Sequence, residues 1–143
     1  MGLTRSEIGN LGESLVVSEF SRLGVPVFRP IGDGCTADLV AEFGGQLHRV
    51  QVKTSAKSER TIAFPLARPT SHGWEAYPDG EIDWYAMVSL THNHIALIRP
   101  DYSKRWVRLR YIPGEHDSLL SIPAEAVTLM SVVREYEERN RKE

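Results

Sequence analysis

Between residues 38 and 53 the apolar positions alternate on both sides of a Gly-Gly pair. Leu39, Ala41 and Phe43 precede Gly44-Gly45, and Val50 and Val52 follow it. Period-two alternation marks a strand with one buried face, and a two-residue Gly-Gly loop tolerates the positive φ angles of a tight hairpin turn. Pairing Phe43 with Gln46 puts Asp38 opposite Gln51, with Cβ atoms roughly 4.5–5.5 Å apart, and Lys53 on the same face. The apolar side chains turn inward. Asp38, Gln51 and Lys53 share the other face, beside a glycine-rich loop over 30–36.

The rest of the chain divides by the same reading. Ile8, Leu11, Leu15 and Val16 recur at helical spacing over 5–23, with a Thr4-x-x-Glu7 capping box before them and Gly24 and Pro26 after. Gly9 and Gly12 each cost that helix about 1 kcal/mol relative to Ala, which predicts a close backbone approach to the sheet or a ligand. A short strand is expected over 25–29. Residues 54–80 are the least regular, interrupted by Pro65, Pro69 and Pro78, with one strand over 61–66. A buried strand over 83–90, a turn at His92-Asn93 and a strand over 94–99 follow. Residues 104–111 read as an edge strand. A final helix is expected from Ser121-Ile122-Pro123 to about 139, on a stripe of Val127, Met130, Val133 and Tyr136, before a fraying tail. With no internal repeat or linker, residues 1–143 form one α/β domain, its core about 5–112.

Composition adds limits. At 41% apolar and 25% charged the chain is ordinary for a globular domain, and no apolar run reaches the length of a membrane span. The first residues carry no signal-peptide core. Cys35 is the only cysteine, so an intramolecular disulfide and a cysteine zinc site are excluded, and a reducing, cytoplasmic setting is the expectation. A net charge of −2 argues against a general nucleic-acid coat, yet suits a nuclease with acidic metal ligands beside a local basic patch.

Each residue of the 38–53 face has a plain explanation alone: Asp38 opens a strand, and Gln51 and Lys53 sit on one. Together they make the layout of a metal-dependent phosphodiesterase site. Mg²⁺ takes oxygen ligands and needs only one or two carboxylates plus a substrate phosphate. Asp38 would be the direct ligand, with Gln51 Oε1 and the Val52 carbonyl beside it. Lys53 would orient or deprotonate the attacking water, or stabilise the phosphate charge. Glu13, on the flank of the first helix, is the proposed fourth member, against the reading of a solvated helix glutamate. Lys57, Arg60 and Arg68 follow the hairpin and are placed on DNA phosphates, or in a solvated loop. Lys104, Arg105, Arg108 and Arg110 read as protection of a sheet edge or a subunit contact. Asp83 suits strand entry, and His92-Asn93-His94 a hairpin turn.

The order Glu13, Asp38-Leu39, hairpin, Gln51-Val52-Lys53 resembles the PD-(D/E)xK nuclease superfamily. With GNLGES at 9–14, GQLHRVQVKT at 45–54 and EIDWYA at 81–86, it is most similar to the intron-encoded bacterial homing endonucleases that carry Gln-x-Lys. The resemblance implies a restriction-endonuclease-like αβββαβ core, a mixed central sheet flanked by helices. It also implies Mg²⁺, with Mn²⁺ as a substitute, and site-specific double-strand cleavage of DNA by a homo-oligomer, a dimer or tetramer. By it Glu13, Asp38, Gln51 and Lys53 take the catalytic and metal-binding roles. The alternatives are a Holliday-junction resolvase, a repair or restriction nuclease, or an inactive DNA-binding module of the same fold. Two departures stand out: Ala37 replaces the proline before Asp38, and Gln51 leaves the ligand set one negative charge short.

Overall fold

The computed structural model describes residues 2–77, 80–114 and 121–143, so Pro78 lies outside the described residues. Helix α1 spans Arg5–Arg22. Its capping box is reciprocal: Glu7 N donates to Thr4 Oγ1 (3.1 Å) and Thr4 N donates to Glu7 Oε2 (2.7 Å), satisfying donors that a helix start otherwise leaves open. Strands β1 (Val27–Phe28), β2 (Leu39–Phe43), β3 (Gln46–Ser55), β7 (Trp84–Ser89) and β8 (His94–Ile98) form the central sheet in the order β1-β2-β3-β7-β8. Only the β3–β7 pair is parallel, so the sheet is mixed, as expected.

Three short strands, β4 (Thr61–Pro65), β5 (Ala67–Thr70) and β6 (Gly73–Ala76), fill the crossover from β3 to β7. The αβββαβ order would put a helix there. Among the described residues this crossover is built from strands, and the second helix comes at the C-terminus instead. The β5–β6 hairpin was not anticipated, because four-residue strands flanking Ser71-His72 leave too little alternation to detect. Gly73 (φ +115°) starts the return strand.

The far end of the chain corrects three further expectations. Strand β9 (Trp106–Arg110) is not an edge: it lies between β4 and β10 (Ser121–Pro123) in a second sheet. Ser121–Pro123 does not open a helix, because these residues pair in parallel with Arg108–Arg110. A 3₁₀ turn, Ala124–Val127, follows, so Val127 belongs to that turn. Helix α2 spans Leu129–Lys142 from a Thr128 cap, so the charged tail is helical rather than frayed. Arg139, Arg141 and Lys142 in its last turn suit the negative end of the helix dipole.

Three layers result. Val16 and Phe20 of α1, with Leu129 and Val133 of α2, pack on Leu39, Ala41, Val50, Val52, Ala86 and Leu97 of one sheet face. The second sheet covers the other face, setting Ile62, Phe64, Val107 and Leu109 against Tyr85, Met87, Ala96 and Ile98. Strand β7, between them, is buried along its whole length. Gly12 is where α1 meets the sheet: a Cβ there would fall 1.7 Å from Thr54 Oγ1. Gly9, by contrast, faces open space, so its predicted close approach is not found. Gly44 and Gly45 (φ +59° and +73°) make the hairpin turn and also admit α2, since added Cβ atoms would sit 2.9 Å from Tyr136 and 2.8 Å from Asn140.

Candidate active site

The β2–β3 register is the one the Gly-Gly turn dictates, Phe43 against Gln46 and Leu39 against Val50. Asp38 stands just before the first ladder pair and donates its N–H to the Val50 carbonyl (2.9 Å), which fixes it against β3 without the predicted pairing to Gln51. Its Oδ2 in turn accepts from Val52 N (2.9 Å). Burial raises the Asp38 carboxyl above the usual carboxylate range, against the pull of that N–H and of Lys53 and Arg29.

Two other predicted members, Glu13 and Lys53, lie within electrostatic reach of Asp38, and Gln51 shares β3 with Lys53. Glu13, half-buried on α1, is raised by burial and then by the Asp38 charge, while Arg29 Nη1 holds its Oε1 at 3.3 Å. Lys53 is pushed down to about 8 by burial, with Asp38 opposing. Its Nζ donates to Tyr77 Oη (2.5 Å) and lies 4.7 Å from that ring's centroid. Gln51 Oε1 is buried and has no hydrogen-bond donor among the described residues. In a folded interior such an acceptor normally has a partner, and leaving it bare costs about 1–3 kcal/mol. An open cavity of about 220 Å³ reaches Glu13 and Asp38, beside Arg29, Gly32, Asp33 and Ala37, but is not lined by Gln51 or Lys53. A larger one of about 310 Å³, between α1, β8 and α2, contains none of the four.

This donor set fits a hard divalent cation. Among the described residues no three His, Cys, Asp or Glu side chains form a metal cage. The oxygens of Asp38, Glu13 and Gln51 offer two carboxylates and one bare amide, the minimal share that Mg²⁺ accepts.

Arg29 and Tyr77 are the site residues that the sequence did not reveal. Arg29 closes a predicted strand that the structure shortens to Val27–Phe28, and Tyr77 lies in the stretch with no readable period. The three predicted phosphate contacts part company. Lys57 is exposed, Arg60 Nη1 donates to the Pro113 carbonyl (2.6 Å), and Arg68 pairs with Glu75 (3.5 Å). Asp83 receives Arg49 through both backbone and guanidinium, at 2.7–3.2 Å, a strand-entry role. His92-Asn93 is a turn, with Asn93 at φ +49°.

The family profile of PD-(D/E)XK endonucleases matches residues 4–122, from the α1 cap into β10. The chain belongs to the PD-(D/E)XK endonuclease family. The matched span includes Glu13, Asp38, Gln51 and Lys53 and stops before α2. A solved bacterial homing endonuclease, I-Ssp6803I, is similar in fold, with a TM-score of 0.72 over 100% of both chains at 17% identity. That likeness supports a restriction-endonuclease-like fold for this family member. No curated protein sequence matches the chain.

Proposed function

We propose that this family member is a Mg²⁺-dependent endonuclease that hydrolyses DNA phosphodiester bonds, cutting both strands at a specific site as homing endonucleases do, in a homo-oligomer. The observation that carries the reading is the Asp38 carboxyl, held by Val52 N–H within electrostatic reach of Glu13 and of the desolvated Lys53, with the buried, bare Gln51 Oε1 on the strand that supplies Val52 and Lys53.

Asp38, Gln51 and Glu13, with the Val52 carbonyl, would hold the ion, and Mn²⁺ suits the same oxygens. A bound divalent cation neutralises phosphate charge and makes a nearby water more acidic. Lys53 Nζ, brought down to about 8 by burial, is neutral in a minor fraction near neutral pH, and in that form accepts a proton from the attacking water. Tyr77 Oη fixes the direction of that amine. Arg29 holds Glu13 in place and brings a positive charge to the rim that a phosphate would meet. Val52 N–H orients Asp38 Oδ2, leaving Oδ1 for the site.

The test is cleavage of a random-sequence duplex library and of a four-way junction, each with Mg²⁺ and with EDTA. Cleavage of the linear duplex only with Mg²⁺ is expected. Cleavage of the junction alone would favour a resolvase, and DNA binding without cleavage of either would make the domain an inactive binding module.

A further inference from the structure

Placing β9 at the centre of a sheet removes the reason for its cations. Positive charge on an edge strand guards against edge-to-edge pairing, but Arg108 and Arg110 are paired on both sides, and Trp106 continues the strand opposite Pro65 of β4. Their side chains alternate with the buried Val107 and Leu109, so they line the sheet's outer surface. Their neighbours in register across β4 are Pro65, Ala63 and Thr61, small side chains that leave the surface flat. Arg110 is held by Ser121 Oγ (2.8 Å). Arg105 and Arg108 are exposed, with no carboxylate partner among the described residues.

At one end of this surface stand two exposed tryptophans. Trp74, on the β5–β6 hairpin, is 55% exposed and Trp106 is 44% exposed, with ring centroids 5.9 Å apart and planes tilted by 58°. Such large apolar rings left in water beside cations mark a binding surface. The tilt and spacing leave no slot between the rings for a flat group, but the outer ring faces remain available. This end also adjoins the active site. Leu66 N donates to the Arg105 carbonyl (2.8 Å), and the Leu66 carbonyl accepts from Tyr85 Oη, the register neighbour of Gln51. The Trp74 strand runs on to Tyr77, which holds Lys53.

We infer that the outer face of β4-β9-β10 and the β5–β6 hairpin is a nucleic-acid contact surface, in which Arg105 and Arg108 meet phosphates and the Trp74–Trp106 pair stacks on an exposed nucleobase. The inference rests on the endonuclease reading and deepens it: the substrate would be DNA with a base unstacked close to the cut, whether already unpaired or opened on binding. Aromatic platforms flanked by cations suit this chemistry because every base presents a π face. A charge of −2 over the whole chain makes the local cation excess more telling.

The test uses full-length protein with fully paired random-sequence duplexes and with duplexes carrying an unpaired tract, in EDTA. The three tryptophans make it optical, since Trp84 is buried and reports folding while Trp74 and Trp106 report contact. Wild-type emission should quench on adding DNA, most with the unpaired tract. The Trp74→Ala/Trp106→Ala variant, with native Trp84 emission, should bind about tenfold more weakly. Arg105→Ala and Arg108→Ala should each make the slope of log K against log[salt] shallower by about 0.9. Wild-type-like affinity and slope in these variants, with DNA binding otherwise intact, would overturn the surface while sparing the endonuclease reading. So would a tryptophan variant that changes sedimentation but not DNA affinity, which would make the patch a contact between copies. Equal wild-type affinity for paired and unpaired DNA would overturn the stacking role. No DNA binding by wild type in either arm would sink the endonuclease reading, and this inference with it.

Discussion

His48 and Gln51 stand three residues apart on β3 and point to opposite faces of the sheet. Both bury polar atoms, but their surroundings treat those atoms differently. Trp84 Nε1–H donates to His48 Nδ1 (3.1 Å), which leaves the ring proton on Nε2 to donate to the Phe43 carbonyl (3.1 Å). The Phe43 ring stacks on the imidazole at 3.8 Å and Tyr136 of α2 meets its edge at 5.6 Å. Both nitrogens of the His48 ring have their partners. Gln51 Oε1 has no donor, and its neighbours Asp38 and Lys53 both carry pKa shifts that burial drives against their charged forms. The surroundings of His48 on one face are matched for stability. Those of Gln51 on the other hold unmet demand, which a cation and a phosphate would satisfy at a cost to the free protein.

If that division is right, variants on the two faces should fail in different ways. The largest effect is expected for Lys53→Ala. Losing a group that moves a proton or meets the transition-state charge should slow cleavage about 10²- to 10⁴-fold. DNA affinity and melting temperature should stay near wild type, since the change also relieves a buried amine. Wild-type turnover by this variant would erase the distinction between the faces.

His48→Ala should do the reverse. It leaves Trp84 Nε1 and the Phe43 carbonyl without partners and opens a cavity, for a loss of about 2–4 kcal/mol in urea unfolding. Cleavage per folded molecule should hold. If instead activity fell with stability untouched, the matched face would be part of the site.

The hairpin was legible because three local signals agree: alternation, a Gly-Gly turn and a register that the turn fixes. That placed Asp38, Gln51 and Lys53 on one face before any tertiary contact was known. What stayed hidden depends on contacts between distant segments. Tyr77 reaches Lys53 from a stretch without period, and β9 reads as an edge because its partner β10 is three residues long and carries the proline signal of a helix start. His48 was passed over for the same reason. An imidazole in an apolar row is informative only once Trp84 and Phe43 are known to close around it.

Acidity offers a finer comparison. Burial lowers the His48 pKa below 6.5, so as pH falls the unfolded chain takes up a proton before the folded one does. Stability linked to this residue is therefore present above pH 6.5 and is lost as pH drops towards the depressed folded value. Protonation at Nδ1 would also set two donors, His48 and Trp84, against each other. Urea melts from pH 7 down to pH 5 should show a steeper loss for wild type than for His48→Gln. His94, also lowered by burial, contributes equally to both proteins and cancels in the difference. Parallel curves would mean that His48 is not held neutral.

The smallest measurable change in stability, and the one that separates the faces most cleanly, belongs to Gln51→Leu. Leucine keeps most of the side-chain volume and removes the bare oxygen, so relief from an unmatched buried acceptor should raise stability by about 1 kcal/mol. Few substitutions of buried polar residues stabilise, because most such groups, like His48, already have partners. The same variant should need more Mg²⁺ and lose cleavage, since it removes one of the few protein oxygens proposed to hold the ion. Gln51→Glu restores an oxygen and adds a charge, and should shift the Mg²⁺ concentration for half-maximal cleavage, downward if the added carboxylate binds the ion. Unfolding in EDTA and Mg²⁺ titration of cleavage for the three proteins decide it. A destabilised Gln51→Leu protein would mean that the oxygen has a partner in the free enzyme, and unchanged Mg²⁺ curves would put the ion elsewhere.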